Sequence, residues 1–268
     1  HKEAVSAYQG ALRARRSYAA AWYNLGLSYR ALNLWKKAAE AFEKALQATP
    51  KYPEAAYNLA LSLSDQEEYG KAVEAYKRAI ALAPSMTKAH YNLAWNYQKL
   101  DKPELAIDSY QKAIELNPSK EEAHFNLGQA WMDLREFKKA IAAYQKVQDL
   151  KPDHEKARLG LAVAYAKIQA WEKAVQEYRI LLKLSPGNVK ALYNLGVAYG
   201  KQGDYKAARE TYARVLELDG RHWRACLNLA YAHLGLNQND YAKIYFEKTL
   251  ELMPNNIEAK QQLAKFKK

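Results

Sequence analysis

Cysteine is scarce. The single Cys226 in 268 residues excludes an internal disulfide framework and a cysteine-built zinc cage. Glycine and proline are also few, 11 and 8. That leaves little turn chemistry for a many-stranded β protein. Long apolar runs are missing: the longest stretch without charge, Ala225–Asn239, has 15 residues and includes Asn, Gln and His. It is too short and too polar to span a bilayer. No charged, apolar, small-residue leader opens the chain. What is present is an apolar fraction of 49%, enough for a packed core, a formal charge of +12, and 21 tyrosines.

The tyrosines recur with a fixed period. AWYNLGLSY at Ala21–Tyr29 returns as AAYNLALSL at Ala55–Leu63, AHYNLAWNY at Ala89–Tyr97, AHFNLGQAW at Ala123–Trp131 and ALYNLGVAY at Ala191–Tyr199. Looser copies start at Ala157 and Ala225. The period is 34 residues and defines seven units, 19–52, 53–86, 87–120, 121–154, 155–188, 189–222 and 223–256, with no insertion. Position 7 of each unit is Leu, from Leu25 to Leu229. Position 8 is Gly or Ala, position 20 is Ala, and position 24 is aromatic, from Phe42 to Phe246. Position 32 is Pro except at Gly220. Positions 4, 7, 8 and 11 share one helical face, and 20, 24 and 27 share another. The spacing therefore predicts two helices per unit, the second stopped by the proline. One such pair cannot bury its apolar faces alone, whereas stacked pairs bury a continuous core.

These positions resemble the tetratricopeptide repeat family over nearly the whole chain. The resemblance implies an all-α, right-handed superhelical solenoid of antiparallel helix pairs, with first helices on the concave face. Residues 1–18 read as the second helix of a truncated repeat, since Ala4, Tyr8 and Ala11 match positions 20, 24 and 27. The expectation is a piece of a longer array. Residues 257–268 read as a C-terminal capping helix with a polar outer face.

Function is expected where first helices face the groove. Position 5 supplies Tyr23, Tyr57, Tyr91, Phe125 and Tyr193, and position 9 supplies Trp95 and Gln129. This stripe is densest around Tyr91, Trp95 and Phe125, and large aromatics dominate binding hot spots. Packing against the next repeat is the competing role for each ring. Position 6 is Asn in six units: Asn24, Asn58, Asn92, Asn126, Asn194 and Asn228, with Gly160 breaking the series. An amide offers donors and an acceptor, so a ladder of them suits the backbone of an extended peptide. Hydrogen bonding within the scaffold is the alternative. The ladder is similar to that in the repeat domain of O-linked N-acetylglucosamine transferase. That similarity implies a grip on main chain, without the catalytic domain of that enzyme.

Charge divides along positions 2 and 13. Glu54, Asp65, Glu122 and Asp133 fall in the second and fourth units. Lys88 and Lys99 fall in the third, and Lys156, Lys167, Lys190, Lys201 and Arg224 in the last three. The later units should attract an acidic segment. The carboxylate clamp of chaperone-binding relatives needs Lys at position 5, Asn at 9 and Arg at 6, and none of these is present. His90 and His124, at position 4, read as packing residues and not as metal ligands. Cys226 reads as a small buried apolar residue. Nucleic acid is disfavoured: Arg13–Arg15–Arg16 and Lys265–Lys267–Lys268 lie at opposite ends, and the repeated Tyr–Asn pair offers little code.

The combined reading is a non-enzymatic scaffold for an extended or helical peptide. Cofactors, metals and catalytic residues are not expected. Self-assembly, and targeting for a catalytic domain outside this sequence, are the alternatives. The sequence assigns no compartment; the lone cysteine and the absence of a visible leader favour the cytoplasm.

Overall fold

The computed structural model describes residues 1–14 and 17–266. Among the described residues there are sixteen α-helices and no strands. α1 (Lys2–Ala14) comes first. Seven first helices follow at the period of the sequence: α2 (Ala19–Ala31), α4 (Pro53–Asp65), α6 (Thr87–Lys99), α8 (Glu121–Asp133), α10 (Glu155–Lys167), α12 (Val189–Gln202) and α14 (Trp223–Gly235). Between them lie the second helices α3 (Trp35–Ala48), α5 (Tyr69–Leu82), α7 (Pro103–Leu116), α9 (Phe137–Leu150), α11 (Trp171–Leu184), α13 (Tyr205–Leu218) and α15 (Asn239–Leu252). α16 (Ile257–Lys265) is last. The chain divides into two compact units, His1–Arg135 and Glu136–Lys268.

Both units are built by the same rule. Position 15 has positive φ in every repeat: Asn33, Glu67, Asp101 and Arg135 in the first unit, and Gln169, Gly203 and Asn237 in the second. Only Gly203 adopts that left-handed conformation without a Cβ penalty. The other turns are imposed by the packing on either side, which is why the residue types there do not announce the turn.

In the first unit the core is Leu25, Phe42, Leu59, Tyr76, Leu93 and Tyr110, with position-20 alanines between them. Phe42, Tyr76 and Tyr110 are fully buried. At Gly26 a Cβ would stand 2.6 Å from the Phe42 ring, so the small residue at position 8 is what lets the two helices close on that ring. The second unit repeats this. Leu161, Tyr178, Leu195, Tyr212, Leu229 and Phe246 are buried, and a Cβ at Gly196 would stand 2.6 Å from the Tyr212 ring.

In three repeats position 4 ties the first helix to the preceding loop. His90 Nε2 donates to the Pro84 carbonyl and His124 Nε2 to the Pro118 carbonyl, both at 2.9 Å. Arg158 takes the same place in the second unit, donating to the Pro152 carbonyl at 2.7 Å and to Glu177 Oε2 at 2.7 Å. Sequence reading found the two histidines and missed this largely buried ion pair, whose partners lie 19 residues apart.

Candidate functional site

Positions 3, 7 and 8 are buried in every first helix, while positions 2, 6, 9 and 13, and position 5 except at Leu227, are less so; within each unit this less buried face is its wall. In the first unit Tyr23, Tyr57, Tyr91 and Phe125 are half-buried, as are Asn24, Asn58, Asn92, Asn126 and Trp95, while Gln129 is exposed. In the second unit Tyr193, Asn194 and Asn228 are half-buried, and Lys156 and Lys190 are exposed. Each position-5 tyrosine leans on the position-24 ring of its own repeat. The centroids are 5.7 Å apart for Tyr23–Phe42, 5.9 Å for Tyr57–Tyr76, 5.7 Å for Tyr91–Tyr110 and 6.0 Å for Tyr193–Tyr212. Part of each ring therefore belongs to the scaffold.

The asparagines have partners inside the fold. Asn58 Nδ2 donates to Tyr23 Oη at 3.2 Å, Asn92 to Tyr57 at 3.0 Å, Asn126 to Tyr91 at 2.9 Å and Asn228 to Tyr193 at 3.1 Å. Each rung joins position 6 of one repeat to position 5 of the repeat before. Asn58 is fully occupied: it also donates to the Glu54 carbonyl at 2.8 Å and accepts from Arg30 at 3.4 Å. Four of the six position-6 asparagines thus spend an amide hydrogen on the tyrosine of the preceding repeat. Burial pushes the hydroxyls of Tyr57, Tyr91 and Tyr193 above the ordinary tyrosine range, and the rung to Asn92, Asn126 or Asn228 opposes that rise.

Two acids on the wall of the first unit are paired within it. Arg30 pairs with Asp65 at 2.9 Å, and Lys120 pairs with Glu122 at 3.3 Å while lying 4.5 Å over the Tyr91 ring. Lys99 lies 4.9 Å over Trp95, and Tyr69 meets Trp95 edge-on at 5.8 Å. Desolvation, with Asp101 nearby, raises the Asp133 carboxyl above the usual range. The second unit differs. Its first helices carry Lys156, Arg158, Lys167, Lys190, Lys201 and Arg224 against a single Glu155. Glu155 accepts from Ser185 Oγ at 2.6 Å. Among the described residues, no carboxylate pairs with Lys156, Lys167, Lys190, Lys201 or Arg224. Arg224 lies 4.5 Å over the Trp223 ring.

The remaining chemistry-bearing residues have structural places. Cys226 is buried, and burial pushes its thiol up. His222 caps α14, its Nδ1 accepting from Ala225 N at 3.1 Å. No group of three or more potential metal ligands occurs among the described residues, and no helix there is long and apolar enough to cross a membrane. Of the two basic clusters, Arg15, Arg16, Lys267 and Lys268 lie outside the described residues. A cavity of about 1050 Å³ lies away from the expected site residues, between α1, α2 and α3, with Trp22, Tyr29 and Lys44 on its walls.

Comparison with known proteins agrees with this geometry. Profiles described as tetratricopeptide repeat match residues 1–53, 91–155, 189–222 and 224–256, and a TPR repeat profile matches 165–203. A profile for subunit 3 of the anaphase-promoting complex, or cyclosome, matches residues 31–113. A search of curated protein sequences returned no match. Among solved structures, the C-terminal part of a TPR repeat-containing protein from Cytophaga hutchinsonii superposes with a TM-score of 0.77 at 19% identity, covering 90% of this chain and 99% of that one. YrrB, described as a TPR protein with an unusual peptide-binding site, gives 0.65 at 24% identity, covering 71% and 98%. MamA gives 0.61 at 25% identity, covering 62% and 91%.

Proposed function

The chain belongs to the tetratricopeptide repeat family, whose repeats are typically non-catalytic protein-interaction modules, and from that premise we propose that it holds an acidic segment of another protein along its first helices. The observation that carries this reading is the set of cations on α10, α12 and α14 that lack an acidic partner. Solvated lysines of this kind each contribute only about 0.2–1 kcal/mol. Several along one wall act together, chiefly on the rate of encounter. The position-5 tyrosines supply apolar contact beside them. The amide ladder contributes what its rungs leave over, at Asn92, Asn126, Asn194 and Asn228. Asn58 is the weakest contributor, because its donors and acceptor are already used.

Fluorescence anisotropy with a labelled Asp/Glu-rich peptide tests the reading. Binding is expected to weaken steeply as salt shortens the screening length from about 30 Å at 0.01 M to about 8 Å at physiological ionic strength. The double substitution Lys156→Glu with Lys190→Glu should abolish the salt-sensitive part. Equal binding of a Lys-rich peptide would remove charge from the account.

Self-association is a second reading, favoured by Tyr241, Ile244 and Ile257, which are 56%, 54% and 71% exposed on α15 and α16. Light scattering over a range of concentrations decides it: a constant monomer mass excludes it.

A further inference from the structure

In the second unit, α12, α13 and α14 line an open pocket of about 210 Å³. Val197, Gly200, Tyr205, Asn228 and Tyr231 form its walls, and Lys201 is the one charged residue lining it. Two glycines make the opening. Gly200 stands at position 12, where the other repeats have Arg30, Ser64, Gln98, Met132, Ala166 and Leu234. A Cβ at Gly200 would meet no heavy atom within 4 Å, so the missing side chain leaves open space. Gly235 works by contact: a Cβ there would stand 2.5 Å from the Tyr205 ring. Its absence lets that ring lie against α14 as one wall of the pocket.

The corresponding place in the first unit is different. Trp95 stands where Tyr231 does, edge-on to Tyr69 at 5.8 Å. Asp65 stands where Lys201 does, held by Arg30 at 2.9 Å.

Size decides what the pocket in the second unit can take. At about 30 Å³ per water, 210 Å³ is about seven waters. Small-molecule sites run from about 300 to 1,000 Å³. The space suits one large side chain of a longer ligand. The surrounding charge suits acidic neighbours for that side chain, because Lys190, Lys201 and Arg224 lie on α12 and α14 and, among the described residues, have no carboxylate partner.

We propose that this pocket anchors a large apolar side chain, of the Phe or Leu class, within an acidic segment of a partner protein. The proposal rests on the acidic-segment reading of the second unit and adds the residue that fixes the register of the bound chain. The charges select the segment, and the socket selects where along it the wall engages.

Two labelled Asp/Glu-rich peptides test it, identical except for Phe or Ser at the centre. The wild-type chain should bind the Phe peptide roughly tenfold or more tightly than the Ser peptide, the expected gain from burying an aromatic ring. Gly200→Leu fills the socket, and it replaces a helical glycine with a better helix former, so folding is retained. It should bring the ratio of the two affinities toward unity. Gly200→Ser, which restores the residue found at Ser64, should leave part of the preference. Equal binding of the two peptides by wild type overturns the socket while the charged wall stands. A Phe preference that survives Gly200→Leu also overturns it. If neither peptide binds, the socket and the wall fall together.

Discussion

The two units share a scaffold and differ on the wall it presents. The first has three successive tyrosine–asparagine rungs, Tyr23–Asn58, Tyr57–Asn92 and Tyr91–Asn126, and two of its wall acids, Asp65 and Glu122, are paired with Arg30 and Lys120. Among the described residues the second has one such rung, Tyr193–Asn228, five first-helix cations without carboxylate partners, and a side-chain-sized opening at Gly200. A repeat thus fixes backbone and core while leaving a few positions per unit free to set what the surface does. Where those positions are spent on one another, as in the first unit, they stiffen the stack. Where they are left unspent, they are open to a partner.

Alkali should strike both units alike, because it acts on the shared core. Burial raises the hydroxyl pKa of Tyr76 and Tyr110 in the first unit and of Tyr178 and Tyr212 in the second. Below about pH 10 these groups are protonated whether the chain is folded or not, so their contribution is fully present. Above it the unfolded chain ionises and the folded chain does not. Stability is then lost as pH climbs toward the folded value, by about 1.4 kcal/mol per pH unit for each buried tyrosine. Denaturation followed by circular dichroism between pH 9 and 12, alongside tyrosinate absorbance, should show unfolding and ionisation together. Ionisation well ahead of unfolding would mean the rings are not sealed.

Leu127→Ala in the first unit and Leu161→Ala in the second should each cost about 2–5 kcal/mol in urea, since both fill position 7 of the same packing. A large effect in one and none in the other would break the claim of a shared scaffold. The Arg158–Glu177 pair sharpens the difference between the units. Glu177→Ala should cost about 3 kcal/mol, the low end for a buried pair because Glu177 keeps 20% of its side chain exposed. Replacing both partners at once, Arg158→Leu with Glu177→Thr, which copies Leu192 and Thr211 of the next repeat, should be close to neutral. Smallest is the loss of a rung: Tyr91→Phe should cost about 0.5–1.5 kcal/mol by removing the acceptor of Asn126. Tyr193→Phe should cost the same in the second unit.

The scaffold was legible because its residues serve one purpose in every copy. Leu at position 7, a small residue at 8 and an aromatic at 24 repeat without exception, and each is buried for the same steric reason. The left-handed turn at position 15 was hidden, since Glu67, Asp101 and Gln169 adopt it under constraint from packing. The wall was half legible. Periodicity named Tyr91 and Asn92 but could not show that each amide is claimed by the tyrosine 35 residues before it. The socket was legible only as an exception, a glycine at position 12 in one repeat of seven. Its meaning depends on Tyr205 and Tyr231 converging from other helices, which no linear pattern states.

The central claim is that the first helices of the second unit form the contact surface for an acidic segment. Amide chemical-shift mapping during titration with an Asp/Glu-rich peptide tests it most directly. Shifts should concentrate on α10, α12 and α14, around Lys156, Lys190, Lys201 and Arg224, and should vanish at high salt. Shifts confined to α11, α13 and α15, or a spectrum unchanged by the peptide, would contradict it.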